Sequence, residues 1–167
     1  MTAEKTATPL PPAKENKPLP RLGEIGLENF PPYLMNRIMG RYNAALREEM
    51  AAHGLTTAKM RALAVLSVLD GLLIRDLSVY AVVEQSTLSR ALDALERDGL
   101  VERKTDPDDS RATRIFMTRK GRETHEGLWP HVAEACAQMF NGIDPEEQRA
   151  FTATLQKILR NVRVNQF

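Results

Sequence analysis

Residues 84–99 read Glu84-Gln85-Ser86-Thr87-Leu88-Ser89-Arg90-Ala91-Leu92-Asp93-Ala94-Leu95-Glu96-Arg97-Asp98-Gly99. At helical spacing Leu88, Ala91, Leu92 and Leu95 share one face, while Ser86, Thr87, Ser89, Arg90, Asp93 and Arg97 lie away from it. Gly99 is a left-handed stop for that helix. Such a helix can pack its apolar side on a core and offer the other to a groove about 12 Å wide. The short side chains of Ser86, Thr87 and Ser89 let the backbone come close. Arg90 can reach a guanine edge bidentately or clamp a phosphate.

Downstream, two short β segments over 100–105 and 113–118 flank the polar turn Asp106-Pro107-Asp108-Asp109-Ser110-Arg111. Ile115 and Met117 alternate with polar neighbours, as in a half-buried strand. Arg111 stands at the tip of this hairpin and Arg114 on its stem, next to Arg103 and Lys104. Upstream, the pattern predicts a short helix from Ile74 to about Ala81, with Leu77 inward. Before it, Thr56 or Thr57 caps a helix whose buried side is read as Met60, Leu63, Ala64, Leu66 and Val68, and Asp70-Gly71 is a stop. Short helix, turn, polar-faced helix and β hairpin predict a mainly α (α+β) winged helix-turn-helix.

Longer helices flank this unit. Pro31-Pro32 suits a first turn, and Leu34, Ile38, Tyr42, Ala45, Leu46 and Met50 form an apolar stripe ended by Gly54. Thr118 caps a helix running to Asn141, bent near Pro130, with Leu128, Val132, Ala135, Cys136, Met139 and Phe140 on its apolar side. Asp144-Pro145-Glu146-Glu147 opens the last helix, which carries Phe151, Leu155, Ile158, Leu159 and Val162. These stripes exceed what a lone winged-helix unit can cover, which predicts a homodimer. Half of the ten prolines fall at positions 9, 11, 12, 18 and 20. The expected organisation is a flexible Pro-rich tail over 1–22, a first dimerisation helix over 30–54, the winged helix-turn-helix over 55–118 and C-terminal dimerisation helices over 119–164.

In order and spacing, several stretches together resemble the MarR-type winged-helix transcriptional regulators. They are Ser86-Thr87-Leu88-Ser89-Arg90, Leu95 through Arg103, Asp106 through Arg111, Met117-Thr118-Arg119-Lys120-Gly121, and Thr56 through Leu66. The resemblance covers roughly residues 31–164. It implies that Ser86, Thr87, Ser89 and Arg90 face the major groove. It also implies that Arg111 enters the flanking minor groove with Asp109 orienting its guanidinium, and Arg114 is taken with them as DNA-binding. It further implies an obligate homodimer on a pseudo-palindromic duplex, acting as a repressor, and a pocket for a small, hydrophobic or phenolic effector. Arg37, Arg41, Tyr42 and Met60 are the residues assigned to that pocket. Two departures stand out: Val82-Val83 replaces a glycine-containing turn, and Glu84 replaces a small capping residue.

Composition narrows the alternatives. The chain has 167 residues, with 23 Lys+Arg against 22 Asp+Glu, so a histone-like blanket of positive charge is excluded. No apolar run reaches the roughly 20 residues that span a bilayer, and no apolar signal core precedes the folded part, which predicts a cytoplasmic protein without a membrane partner. Cys136, the single cysteine, cannot form an intramolecular disulfide and is read as packing, with a redox switch as the rival role. His53, His125 and His131 show no ligand-like spacing with each other or with Cys136, so neither a metal nor a cofactor is expected. No nucleophile elbow, Gly-rich phosphate loop or metal motif points to an enzyme. Residues 86–120 hold eight basic and seven acidic side chains. That weak excess favours the rival reading, a winged-helix module for protein–protein association without specific DNA binding.

Overall fold

The structure, a computed structural model, describes residues 20–162. Most of the expected Pro-rich tail lies outside the described residues. The described residues divide into two compact units, 20–39 and 40–162. Among the described residues no helix is long and apolar enough to cross a membrane.

The first unit holds the short helix α1 (Leu22–Ile25), a 3-10 turn over Leu27–Asn29 and the first nine residues of α2 (Pro31–Ala52). Pro31 and Pro32 occupy the opening of α2, where no backbone donor is needed. One turn apart on α2, the Arg37 guanidinium lies 5.8 Å from the Tyr33 ring centroid and its Nη1 is 3.4 Å from the phenolic oxygen.

The second unit holds the remainder of α2, then α3 (Thr57–Leu66), β1 (Leu72–Leu73), α4 (Ile74–Tyr80), α5 (Gln85–Arg97), β2 (Val101–Thr105), β3 (Thr113–Met117), α6 (Arg119–Met139) and α7 (Pro145–Val162). Thr56 caps α3 by accepting from Lys59 N–H, and Thr118 caps α6 by accepting from Gly121 N–H. One core joins Met50, Leu55, Leu63, Leu66, Leu77, Leu88, Leu92, Leu95, Ile115, Met117 and Leu128. Helix α5 rests on α3 and α4, so its outward face is held by a rigid support. The antiparallel sheet has the order β1-β3-β2, with Arg103 opposite Ile115 and Leu72 also opposite Ile115. Strand β1 is absent from the sequence reading because two residues are too few to show a period of two.

The expected buried side of α3 needs correction. Val68 is 80% exposed and Ala64 is exposed, whereas Ala62 is fully buried. The helix stops at Leu66, so residues 67–70 leave its register and Val68 no longer continues the stripe.

The turn between α4 and α5 is closed without glycine. Val83 N–H donates to Ser78 C=O and Val82 N–H to Val79 C=O, the paired bonds of a Schellman stop. Val82 occupies the left-handed position with φ +51. Arg61 of α3 holds it there, donating from Nη1 to Val82 C=O at 3.0 Å and from Nη2 to Asn43 Oδ1 at 3.3 Å. A β-branched residue in that conformation is strained by about 1–2 kcal/mol. Val82 is 77% exposed, so little burial is lost with its side chain. After about 0.5–1 kcal/mol for the greater freedom of an unfolded glycine, Val82→Gly should stabilise by roughly 0.5–1 kcal/mol, or about 1–4 °C in Tm. Thermal unfolding followed by circular dichroism measures this; an unchanged or lower Tm would show that the turn carries no strain.

Candidate nucleic-acid interface

The outward face of α5 is defined by what its inward face buries. Leu88, Leu92 and Leu95 are fully buried and Ala91 nearly so, leaving Ser86, Thr87, Arg90, Asp93 and Arg97 exposed and Ser89 half-buried. Ser86, Arg90, Asp93 and Arg97 follow one another at four, three and four, a single line along the helix. Arg97 belongs to this line although it is not among the expected site residues; its spacing from Ser86 is the signal that identifies it.

Glu84 is the N-cap of α5. Its carboxylate accepts from the backbone N–H groups of Ser86 and Thr87, each at 3.1 Å, and from both hydroxyls, Ser86 at short range and Thr87 at 3.4 Å. The Ser86 hydroxyl, then the Ser86 and Thr87 amides, hold the Glu84 carboxyl down to about 2. Because the folded value is depressed, the contribution of this cap is complete above the ordinary carboxylate pKa and is lost as pH falls toward 2. Glu84 is therefore an anion at every physiological pH, seated where a DNA phosphate would approach the helix N-terminus. Glu84→Ser keeps a capping oxygen and removes the like charge. It should tighten non-specific duplex binding by about 2- to 5-fold at moderate salt. Fluorescence anisotropy with random duplex checks this, and weaker binding by the variant would show that the carboxylate aids the approach.

Asp106, only 6% exposed, ties the wing turn to β3. Its Oδ1 accepts from Asp108 N–H at 2.8 Å and Asp109 N–H at 3.0 Å, and its Oδ2 from Arg114 Nε at 2.5 Å. The Asp108 amide, aided by Arg114, lowers the Asp106 pKa against the opposing effect of burial. Arg114 also donates from Nη1 to Gly71 C=O at 2.9 Å, so much of its guanidinium is engaged inside the protein. Asp109 accepts from the Arg111 backbone N–H at 3.0 Å. In the free protein this contact shapes the tip main chain, while the exposed Arg111 guanidinium has no partner among the described residues.

Pairing changes the meaning of the charge balance in residues 86–120. Arg103 reaches Glu96 and Asp93, both at 2.7 Å; Lys104 pairs with Glu102 at 2.6 Å; Lys59 pairs with Asp98 at 3.1 Å. Arg119 pairs with Glu123 at 2.9 Å, and Lys120 donates to Asp98 C=O at 2.8 Å. Among the basic residues of this stretch, Arg90, Arg97 and Arg111 are left without a partner among the described residues. The cations left over are thus Arg90 and Arg97 on the outward face of α5 and Arg111 at the wing tip, where the Asp108 and Asp109 carboxylates likewise have no cationic partner among the described residues.

The other assigned residues lie elsewhere. Arg37 is in the first unit, stacked on Tyr33. In the second unit Arg41 is exposed, Tyr42 half-buried, and Met60 partly buried against the core. Burial and the nearby Cys136 raise the Tyr42 pKa, and Cys136 is itself half-buried and unpaired. His53 and His131, without ligand-like spacing along the chain, come together with Glu49 in space.

Comparison with known proteins agrees with this geometry. The MarR family sequence profile matches residues 53–112. A MarR-family transcriptional regulator from Silicibacter pomeroyi is 59% identical and superposes with a TM-score of 0.85, over 89% of this chain and 100% of that one. The HTH-type transcriptional repressor IacR of Pseudomonas putida is 24% identical over 143 residues, 86% of each chain. CouR of Rhodococcus jostii RHA1, solved bound to p-coumaroyl-CoA, is 26% identical with a TM-score of 0.71, over 84% of this chain and 99% of that one. With the polar face of α5, the hairpin wing and this likeness over most of its length, the chain belongs to the MarR family of DNA-binding transcriptional regulators.

Proposed function

We propose that two copies of this chain form a cytoplasmic homodimeric repressor, acting by binding alone, that reads a pseudo-palindromic site in double-stranded DNA. The observation that carries this reading is the unpaired Arg90 on the exposed face of a helix whose opposite face is fully buried. Each copy of α5 enters a major groove, with half-sites about one turn, roughly 34 Å, apart. Arg90 takes a guanine edge, and Arg111 reaches the flanking minor groove from the wing tip. Asp109 supports Arg111 through the main chain. Arg114 holds the wing on Asp106 and contacts the backbone only with the part of its guanidinium left over.

Glu84 gives the serine and threonine of the helix start a direction. Their hydroxyl protons point to its carboxylate, so their lone pairs face outward as acceptors. Acceptors suit the exocyclic amino groups of adenine and cytosine in the major groove. Ser89, half-buried, lines the same approach.

Dimerisation is supported by α7, where Phe151 is 43%, Leu159 62% and Val162 65% exposed although they share one apolar side. The residues assigned to an effector in the second unit are Arg41 and Tyr42 on α2 and Met60 on α3. A guanidinium and a phenol suit a phenolic ligand with an anionic group, in keeping with the p-coumaroyl-CoA held by CouR.

Gel-shift titration against the upstream DNA of the gene tests this reading, with light scattering for the mass in solution. The expected result is a dimer that prefers one site over random duplex by at least about 1000-fold at physiological salt. Equal affinity for both duplexes, or a monomer on DNA, would overturn it.

A further inference from the structure

We propose that Glu49, His53 and His131 form a site for one divalent transition-metal ion, of which zinc fits best. Glu49 lies in the last turn of α2, and His53 follows one turn later, directly after the helix. Residues four apart project to one side. His131 comes from α6, immediately after Pro130. Its Nδ1 is 3.2 Å from Glu49 Oε1, and the His53 and His131 rings are 6.0 Å apart between centroids. One donor atom from each of the three residues lies within 4.8 Å of the others.

The ligands sit on a fixed floor. Met50, next to Glu49, is 1% exposed; Leu55, two residues after His53, is 6% exposed; Leu128, one turn before His131, is 5% exposed. All three belong to the same core. Metal–ligand bonds of about 2.0–2.2 Å place tetrahedral donors roughly 3.4 Å apart. The donor atoms thus stand about 1.4 Å or less beyond that spacing, on three exposed side chains that are free to turn.

An ordinary surface ion pair accounts for His131 and Glu49 alone, and such a pair contributes little. It gives no role to a second imidazole at the same carboxylate. Two imidazoles and one carboxylate are a zinc ligand set with a fourth position open to water, whereas magnesium and calcium prefer oxygen throughout. Glu134 lines the same groove of about 440 Å³ as Glu49 and His131 and adds negative potential beside the ion. A bound ion would join the end of α2 to α6 just before Leu55 and Thr56 lead into α3, the helix on which α5 rests. The site stands on its own geometry and does not depend on the DNA reading.

The test uses tag-free full-length protein, stripped with chelator and dialysed, then titrated with zinc sulfate by calorimetry and with cobalt(II) chloride by visible absorption. The expected result is one metal per chain, a four-coordinate cobalt spectrum and a rise in Tm with added zinc. His53→Gln and His131→Gln should each weaken uptake by about 100-fold or more, while His125→Gln, which lies outside the cluster, should bind as the parent does. No stoichiometric uptake, or uptake unchanged by either His53→Gln or His131→Gln, would overturn the assignment.

Discussion

Arg90→Ala should weaken binding to the specific site by about 1–3 kcal/mol per half-site, and relax the base preference at the position it faces. With one copy in each half-site, the combined loss on a palindrome is roughly 30-fold or more. The prediction is large because the Arg90 guanidinium has no protein partner to release and no burial of its own, so its free energy is expressed on DNA. Arg111→Ala should behave differently, lowering affinity with little change in base preference and making the dependence on salt shallower by about one phosphate contact. Anisotropy titrations on the parent site and on single-base variants, at two or three salt concentrations, separate the two. Arg90→Ala with parental affinity and preference would remove Arg90 from the interface.

Gly121→Ala should destabilise the protein by about 2–4 kcal/mol, because an added Cβ would collide with the Leu100 carbonyl oxygen and meet Met117 Cγ at 2.9 Å. Neither side can yield easily. Thr118 N–H donates to Leu100 C=O at 3.1 Å, Thr118 hydroxyl donates to Gly99 C=O at 2.8 Å, and both the α5–β2 turn and the start of α6 are held by these bonds. Helix propensity works the other way by about 1 kcal/mol in favour of alanine, so the sign of the result decides between contact and propensity. Gly127→Ala, in the same helix with open space around its Cβ, isolates the propensity effect and should stabilise by up to about 1 kcal/mol. Urea unfolding measures both variants, and a neutral Gly121→Ala would mean that α6 sits farther from Leu100 than described.

The two results bear on one mechanical arrangement. Gly121 lets the start of α6 close over the turn that ends α5, while Arg61 and Val82 set the turn that begins it. Helix α5 is thus fixed at both ends by groups that are not part of its outward line Ser86, Arg90, Asp93 and Arg97.

The α5 pattern, the hairpin with its polar turn, the caps at Thr118 and Asp144 and a cap at Thr56 or Thr57 were legible from residue order, because each depends on neighbours within a few positions. Leu88, Leu92 and Leu95 could face only one way once the helix formed, and that alone places Ser86 and Arg90 outward. Other features were decided by residues distant in the chain. The near balance of charge in 86–120 resolved into three unpaired guanidinia only when Arg103 met Asp93 and Glu96, and when Asp98 met Lys59. Arg114 turned inward because Asp106, just after β2, and the Gly71 carbonyl, in the turn before β1, arrive beside it. His53 and His131 became neighbours because Met50 and Leu128 share a core. Periodicity carries the information about which face a residue occupies; which partner waits on that face is set by packing between elements that no local spacing relates.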